Sequence, residues 1–494
     1  MQRGTGGISL SGLLAFFGPL ALYIATLSPG VDFWDIGEMQ TVPYLLGIAH
    51  PTGFPLFVLL GFAFSHVVPV GSVAWRMSLM CALASATAAF ALYAFVRSLC
   101  ADARIAVATA FVFAIGSIAW THAIRADVHD LALATIGLSL AAALRAGQTH
   151  SPRALAFGAF ALGCGLATHP IAVLAVPSAL LLAWPALVRA NAVALSRTAA
   201  CALVPLLAYG YIPWRSAYVE AHGLDPGIAL GIHGGAIFDS GAPATLGAFQ
   251  RYVIGADFHT ARAVATAFSL PGLARAGTFA RASVYREYGL VVLAFALVGF
   301  VVLVLRQPRV ALALGLVAFG CAAFVANFTA ESDVARYALP GLWATAACAG
   351  FGAAWLATSL FDRSAERARA FATGVLLVAM LPGIATAASD VGKSKAIDDA
   401  TALGPVLARL TADGSLVVAS WNFATPLFYE TYVARTLGGR QIVSGWPHDF
   451  PGRYDAWRRH FKHVYFVLAI SYDVTPFATP LAASGRWQLS ELKS

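Results

Sequence analysis

Apolar residues fill most of this chain in long runs that are separated by short polar gaps. A helix needs about 20 mostly apolar residues to cross a bilayer, with about 17 as the lower limit. Eleven runs meet or approach that length: 8–27, 73–96, 105–121, 129–145, 154–168, 171–188, 198–214, 287–305, 310–327, 338–358 and 371–388. The pattern predicts an α-helical polytopic membrane protein with about eleven transmembrane helices.

A further apolar run, 54–70, determines the predicted orientation. If it crosses the membrane, Arg97 and Arg104 lie on the side opposite Arg3, and every later arginine-bearing gap is inverted as well. If it is re-entrant or interfacial, all these gaps share the side of Arg3. Lysine and arginine concentrate in cytoplasmic loops, so we expect the second arrangement. It predicts a multi-pass protein of the cell inner (cytoplasmic) membrane with a cytoplasmic N-terminus.

The same arrangement places several polar segments together on the extracytoplasmic side. They are the first loop (28–72), the short 122–128 loop, the turn at His169, the long 215–286 segment and the 328–337 loop. Because the carboxylates of the chain concentrate in these segments, we expect any acid–base chemistry on that side.

The end of the chain differs in character from the apolar part. Short β-like runs, "SLVVAS" and "HVYFVLAI", alternate with helical stretches such as "PLFYETYVARTL". These patterns predict a small extracytoplasmic α/β domain at 389–494, following a transmembrane domain at 1–388 that contains the first loop.

Composition supports the membrane interpretation and argues against nucleic-acid binding. The chain has 494 residues, of which 59% are hydrophobic and 11% charged, and its net charge is +8. A basic chain can bind nucleic acid, but here the arginines occupy short gaps between apolar runs, as cytoplasmic loops do. The six cysteines lie in or at the ends of apolar segments, so we expect no disulfide framework. The first apolar run has no small-residue cleavage site, which predicts a retained helix.

Three carboxylates stand at three-residue spacing in the first loop, "VDFWDIGEMQTVPYLLGIAHPTGFPLF". They are Asp32, Asp35 and Glu38, and they share one face if this stretch is helical. One interpretation is a solvated interfacial helix whose acids hold the loop in water. The aromatic surface of Phe33 and Trp34 beside the acids favours a site that grips a lipid or a sugar.

His50 follows in "HPTGFP", where two prolines and a glycine fix a rigid turn. A rigid turn that holds a histidine near carboxylates is more than a spacer needs. We therefore treat the first loop as a candidate active site.

"FWDIGE" followed by "LGIAHPTGFPLF" resembles the signature of a known family. That family carries a domain of unknown function, includes the animal transmembrane O-mannosyltransferase that acts on plexins, and belongs to the GT-C superfamily. Its pattern reads like D-x-G-E and then L-G-x-x-H-P-P-G-x-P-L-F, with Thr52 here in place of the second proline. "WTHAIRADVHDL" is similar to a second block, with Asp127 where the family has Glu and His129 where it has Tyr. "GLATHP", "IPWRSAY", "APATLGAFQRYVIG" and "DVARYALP" resemble later blocks.

The resemblance implies an inverting glycosyltransferase that takes a sugar, expected to be mannose, from a polyprenyl-phosphate carrier. The acceptor would be a hydroxyl of a protein, expected to be Ser or Thr, or of a glycan, on the extracytoplasmic side of the lipid bilayer. Single displacement needs a carboxylate to take the hydroxyl proton and cationic groups on the departing phosphate. Relatives are regarded as metal-independent, so we expect neither metal nor cofactor beyond the lipid-linked donor.

The resemblance also implies roles for particular residues. Asp35 would be the general base, Glu38 would orient the acceptor or share the proton, and Asp127 would converge on the same pocket. His50 and His169 would hold sugar or phosphate, with a helix-end hydrogen bond as the alternative for each. Arg336 would bind the phosphate, unless it pairs with Glu331 or Asp333. The remaining substrate-binding candidates are Asp32, Trp34 and Arg125.

Two other classes of function stay open at this point. A transporter or flippase of a lipid-linked sugar is one, although no inverted repeat is visible and the acids cluster in loops. A non-catalytic envelope-assembly subunit is the other, with the C-terminal domain as its binding module.

Overall fold

The computed structural model describes residues 9–258, 265–328, 334–360, 365–450 and 452–493. Among these residues, seven helices are long and apolar enough to cross a membrane: Val73–Cys100, Val128–Thr149, Pro170–Leu187, Ala192–His222, Leu270–Arg306, Pro308–Asn327 and Val334–Ser359. Two bent pairs raise the number to nine if each pair is one span. They are Ala103–Ala114 with Ser117–Ala123, bent by 72°, and Glu366–Leu381 with Gly383–Asp398, bent by 42°.

Three shorter apolar helices complete the membrane part: Leu10–Thr26, Pro55–Val67 and Pro152–Thr168. The seven helices, the two bent pairs and the first and last of these three coincide with the eleven runs predicted from the sequence. The predicted polytopic helical fold is therefore confirmed. Pro55–Val67 has 13 residues. At about 1.5 Å per residue such a helix is too short for a hydrocarbon core of about 30 Å. That length agrees with the re-entrant or interfacial prediction for 54–70.

Local sequence explains where several helices begin and break. Ser72, Ser151 and Asn191 are N-caps whose side chains accept a hydrogen bond from a backbone N–H two or three residues into the helix. Within Leu270–Arg306, Gly289 has φ of 67°, a left-handed conformation that glycine adopts without steric cost, and the helix is kinked there.

The C-terminal part forms the predicted small α/β unit. Its five strands are β1 Leu416–Ala419, β2 Gln441–Ser444, β3 Val464–Ala469, β4 Ala478–Ser484 and β5 Trp487–Leu492. They are ordered β2-β1-β3-β5-β4, with β1 parallel to both neighbours and β5 antiparallel to β3 and β4. The strands β1 and β3 match the "SLVVAS" and "HVYFVLAI" runs, so the strand prediction is confirmed. The boundary predicted at 388–389 falls inside the Ala365–Asp398 helix, and the division into domains stays a prediction.

The remaining helices are short. They lie in the first loop, the long 215–286 segment and the C-terminal unit: Trp34–Leu45, Leu246–Val253, Leu403–Leu410, Trp421–Phe428 and Tyr454–His460.

The sheet unit packs directly against the first loop. The backbone N–H of Ala400 donates to the carbonyl of Val31 at 3.0 Å. The Thr425 hydroxyl donates to the carbonyl of Trp34 at 2.7 Å. Side chains of both regions share one apolar cluster that includes Phe33 and Phe423. The two regions therefore form one continuous structure around the first loop.

Gly37 allows this close approach. A Cβ atom at this position would lie 2.5 Å from the Asp32 carbonyl oxygen and 3.0 Å from the Thr425 hydroxyl oxygen. Both distances are shorter than ordinary van der Waals contact. The glycine of the D-I-G-E motif is thus explained by packing.

We expect Gly37→Ala to lower the melting temperature of the purified protein. Overpacking at a tight contact costs about 1–3 kcal/mol. Gly374→Ala is the matched control, because a Cβ there meets nothing within 4 Å. An unchanged melting temperature for Gly37→Ala would contradict the contact described here.

Candidate active site

A cavity of about 870 Å³ lies where the first loop, the membrane helices and the sheet unit meet. This volume is in the range of about 300–1,000 Å³ that is usual for small-molecule sites. Its wall includes Trp34, Asp35, His50, Arg125, Arg336 and Trp421. The structure therefore brings together residues that were selected from the first loop, the 122–128 loop and the 334–338 segment.

Asp35 lies on the cavity wall in the first turn of the Trp34–Leu45 helix. Its Oδ2 accepts a hydrogen bond from Arg336 Nη2 at 2.9 Å, and its Oδ1 accepts one from Trp421 Nε1 at 2.8 Å. Burial raises the pKa of Asp35, but the charges of His50 and Arg336 and these hydrogen bonds outweigh burial and lower it to about 2. Asp35 is therefore an ionised carboxylate at neutral pH, held in a fixed orientation.

Glu38 lies one turn further and is fully buried. Its Oε1 accepts a hydrogen bond from the backbone N–H of His50 at 2.7 Å, and its Oε2 contacts His50 Nδ1. Burial raises the pKa of Glu38, and the contact with His50 opposes that rise. Since both oxygens are directed at His50, Glu38 is placed to position the histidine rather than to touch an acceptor.

Asp127 caps the Val128–Thr149 helix behind Asp35. Its Oδ1 lies 2.7 Å from His129 Nδ1, and its Oδ2 lies 3.1 Å from His122 Nδ1. Arg336 Nη1 is 3.9 Å from the same Oδ2. Asp35 and Asp127 therefore both lie beside Arg336, but Asp127 is buried and does not line the cavity, and its catalytic role stays a prediction.

Arg336 and Arg125 are the two predicted arginines of the site. Arg336 is buried between the two carboxylates just described, whereas Glu331 and Asp333 lie outside the described residues. Arg125 donates to Asp398 Oδ2 at 2.8 Å and to His122 Nδ1 at 2.9 Å. Both guanidinium groups line the cavity, each beside a carboxylate of the same lining.

His169 lies behind the cavity rather than on its wall. Its Nδ1 accepts a hydrogen bond from the backbone N–H of Ile171 at 3.0 Å, the helix-end contact that was the alternative to substrate binding. Its ring stacks on Phe54 at 5.4 Å and lies 4.4 Å from the His129 ring. Burial lowers the pKa of His169, so the imidazole is neutral.

Asp32 and Trp34 occupy different environments. The Trp34 side chain is 46% exposed and lines the cavity, as a substrate-binding residue requires. The helix begins at Trp34, so Asp32 precedes it and the three acids do not share one helical face as expected. Asp32 is 2% exposed, its two carboxylate oxygens accept hydrogen bonds from Ser28, and burial raises its pKa to about 7. Its role in substrate binding stays a prediction.

Several residues of the cavity wall were not among those predicted from the sequence. Trp421 comes from the C-terminal unit, and His122 comes from the Ser117–Ala123 helix. Arg286 and polar residues at 390–398 also line the cavity. A signal was present in the last group, since Asp390, Lys393, Ser394 and Asp398 repeat at the spacing of one helical face.

One group of side chains has the donor set of a metal site. The ligand atoms of Asp35, Glu38 and His50 lie within 4.8 Å of one another. Two carboxylates and an imidazole suit several divalent cations. However, Asp35 already pairs with Arg336, and Glu38 already contacts His50, so the three groups are satisfied by neighbouring protein groups.

The fold is that of a polytopic membrane protein. ArnT from Cupriavidus metallidurans has a similar fold, with a TM-score of 0.52 over 98% of both chains at 13% identity. Residues 35–189 match the family model described as the N-terminal domain of the protein O-mannosyl-transferase TMEM260. This segment contains the D-I-G-E and "LGIAHPTGFPLF" motifs, so the resemblance noted in the sequence is confirmed.

Two curated relatives carry the same name. The chain is 33% identical over 171 residues to the mouse protein O-mannosyl-transferase TMEM260, which covers 34% of this chain and 24% of the relative. It is 31% identical over 121 residues to the Dictyostelium discoideum protein of that name, covering 24% and 15%. The chain therefore spans about a quarter or less of the length of the curated relatives it matches.

Proposed function

We propose that this protein is an inverting glycosyltransferase. It would move a sugar from a polyprenyl-phosphate carrier to a hydroxyl acceptor on the extracytoplasmic face of the cytoplasmic membrane. The observation that carries this proposal is the ionised Asp35 on the wall of a cavity that also presents Arg336 and Arg125. A base for a hydroxyl and cations for a phosphate are the two groups that such a transfer requires.

A second cavity supports a lipid-linked donor. It has a volume of about 340 Å³ and an almost entirely apolar lining from the Leu270–Arg306, Pro308–Asn327 and Val334–Ser359 helices. Two chain segments line both cavities. One contributes Ser283 to the apolar cavity and Arg286 to the polar cavity, and the other contributes Ala338 to the apolar cavity and Arg336 to the polar cavity. A ligand with a polar head and a hydrocarbon tail fits this pair of cavities. The ArnT structure with the similar fold was solved with undecaprenyl phosphate.

The chemistry follows from the positions of Asp35 and Arg336. The acceptor oxygen attacks the anomeric carbon as the bond from that carbon to the phosphate oxygen breaks, and Asp35 takes the hydroxyl proton. The leaving group is polyprenyl phosphate, whose charge is stabilised by the cations of the wall. Arg336 keeps its contact with Asp35, so the base stays ionised and oriented while the donor is bound.

The sugar and the acceptor are proposed from the relatives. Both curated relatives are named protein O-mannosyl-transferases, so mannose and a Ser or Thr hydroxyl are the first substrates to test. A glycan hydroxyl is the second acceptor to test.

The experiment that tests the function is a turnover assay with purified protein in lipid nanodiscs. Labelled polyprenyl-phosphate mannose and a Ser/Thr-rich peptide are supplied, and released polyprenyl phosphate and glycosylated peptide are measured. We expect both products to form in equal amounts. A flippase would move the intact lipid and leave the bond unbroken, and an assembly subunit would do neither.

We also propose that transfer needs no metal ion. The Asp35, Glu38 and His50 group has internal partners for its charges, so a cation would have to displace Arg336 or break the Glu38–His50 contact. The expected result is full activity after prolonged incubation with a chelator. Loss of activity in chelator that a divalent cation restores would contradict this proposal and would make these three residues the first ligands to mutate.

A further inference from the structure

The last long helix presents a polar face to the catalytic cavity. Asp390, Lys393, Ser394, Ile397 and Asp398 all line the cavity. Their spacing of three or four residues places them on one side of the helix, over slightly more than two turns. A polar face of this kind at the end of an apolar helix indicates contact with a polar ligand or with polar protein groups.

Most of the charged residues of the cavity wall pair with each other. Arg125 Nη1 lies 2.8 Å from Asp398 Oδ2, and Arg286 Nη2 lies 2.9 Å from Asp390 Oδ2. Arg336 Nη2 lies 2.9 Å from Asp35 Oδ2. Each of these three cations thus has a carboxylate partner within the cavity.

Lys393 is the exception among the described residues of the wall. It has no carboxylate within 4.0 Å and no hydrogen bond to another described residue, and its side chain is exposed to the cavity. Among those same residues, its ammonium group is therefore the positive charge that no carboxylate of the wall balances. A phosphodiester, as in a polyprenyl-phosphate sugar, carries one negative charge. The charge of such a headgroup matches this unbalanced charge, and its binding would break no existing ion pair.

We infer that Lys393 binds the phosphate of the lipid-linked donor, an inference that rests on the proposed function. Arg286 pairs with Asp390, which lies one turn before Lys393 on the same face of its helix. Arg286 itself lies on the Leu270–Arg306 helix, which also lines the apolar cavity. The lipid tail would leave the headgroup along that helix. Arg336 then serves mainly as the counter-ion of Asp35. Lys393 supplies the cation whose ion pair forms only when the donor binds.

The test is a binding measurement rather than a turnover measurement. Affinities of the purified full-length protein for polyprenyl phosphate, for polyprenol without phosphate and for inorganic phosphate are compared in nanodiscs. We expect Lys393→Gln to weaken polyprenyl phosphate binding about tenfold or more, since a charged hydrogen bond is lost. Polyprenol binding is expected to stay the same, and Lys393→Arg is expected to retain most of the affinity.

Lys395→Gln is the matched control on the same helix. The Lys395 ammonium donates to the carbonyls of Thr26 and Leu27 at 3.1 and 3.3 Å, outside the cavity, so its loss is expected to leave lipid affinity unchanged. If Lys393→Gln melts at the same temperature as wild type, the substitution at this exposed position has left the fold intact.

The outcomes separate this inference from the function on which it rests. If wild type binds polyprenyl phosphate more tightly than polyprenol and Lys393→Gln does so equally well, the assignment of Lys393 is wrong and the proposed donor stands. If wild type does not distinguish the two lipids, the proposed donor itself is wrong. Inorganic phosphate that binds as tightly as the lipid would overturn a lipid headgroup in favour of a free anion.

Discussion

Asp35→Asn is expected to reduce sugar transfer about 10²–10⁴-fold, the usual contribution of a positioned general base. The amide oxygen of asparagine can still accept the hydrogen bond that Trp421 donates at 2.8 Å, whereas the amide nitrogen cannot accept the one from Arg336, so one of the two anchors of the side chain remains. It cannot take a proton from the acceptor hydroxyl. Turnover by the purified variant, measured beside its circular dichroism spectrum, checks both halves of this expectation.

The control for Asp35→Asn is the same substitution at an exposed site. Asp473 lies on the surface of the sheet unit and accepts hydrogen bonds from the backbone and hydroxyl of Thr475, contacts that asparagine preserves. Asp473→Asn is expected to transfer sugar at the wild-type rate. Wild-type turnover by Asp35→Asn would remove Asp35 from the role of the base.

Arg336→Gln is expected to have the largest effect on stability. Arg336 is buried, and its removal leaves Asp35 and Asp127 facing each other without the guanidinium between them. Loss of one partner of a buried ion pair costs about 3–5 kcal/mol. Asp35 is partly exposed and keeps Trp421, so a loss near the lower figure is expected. Thermal unfolding of the purified variant measures it.

A double variant separates the charge effect from the loss of packing. In Arg336→Gln/Asp35→Asn the uncompensated charge of Asp35 is absent, so we expect part of the lost melting temperature to return while transfer stays abolished. Equal melting temperatures for the single and double variants would contradict an ion pair between these residues.

The pKa of Asp35 gives the same pair a pH dependence. The folded value of about 2 lies below the ordinary 3.8. The stabilisation from ionised Asp35 is therefore complete above the ordinary value and is lost as the pH falls through about 2. Without Arg336 the pKa of Asp35 rises toward its ordinary value, so the stabilisation from its ionisation shrinks. Arg336→Gln is therefore expected to lose less stability than wild type as the pH falls from the ordinary value to about 2. An unchanged acid transition would contradict the ion pair.

The membrane fold could be predicted because spanning helices leave a long apolar signal. The run at 73–96 lies within the Val73–Cys100 helix, and the run at 310–327 lies within the Pro308–Asn327 helix. Interior polar contacts leave no comparable signal. Nothing in the spacing of Asp35 and Glu38 shows that one lines a cavity while the other is turned toward His50, because that depends on where the HPTGFP turn folds back.

Contacts across the whole chain account for the residues that the sequence analysis missed. Trp421 reaches Asp35 from 386 positions away, through the packing of the sheet unit on the first loop. Lys393 and its neighbours follow an apolar run and fall in the segment 389–494 that was predicted as a separate C-terminal domain. In the structure they continue the same helix to Asp398, and their charge serves the cavity wall.

The anomeric configuration of the product tests the central claim most directly. One carboxylate that removes the acceptor proton while the phosphate departs produces a single displacement at the anomeric carbon. With a polyprenyl-phosphate donor of known configuration, nuclear magnetic resonance of the glycosylated peptide is expected to show the opposite anomer. A product with the donor's configuration would require two successive displacements and would contradict the role proposed for Asp35.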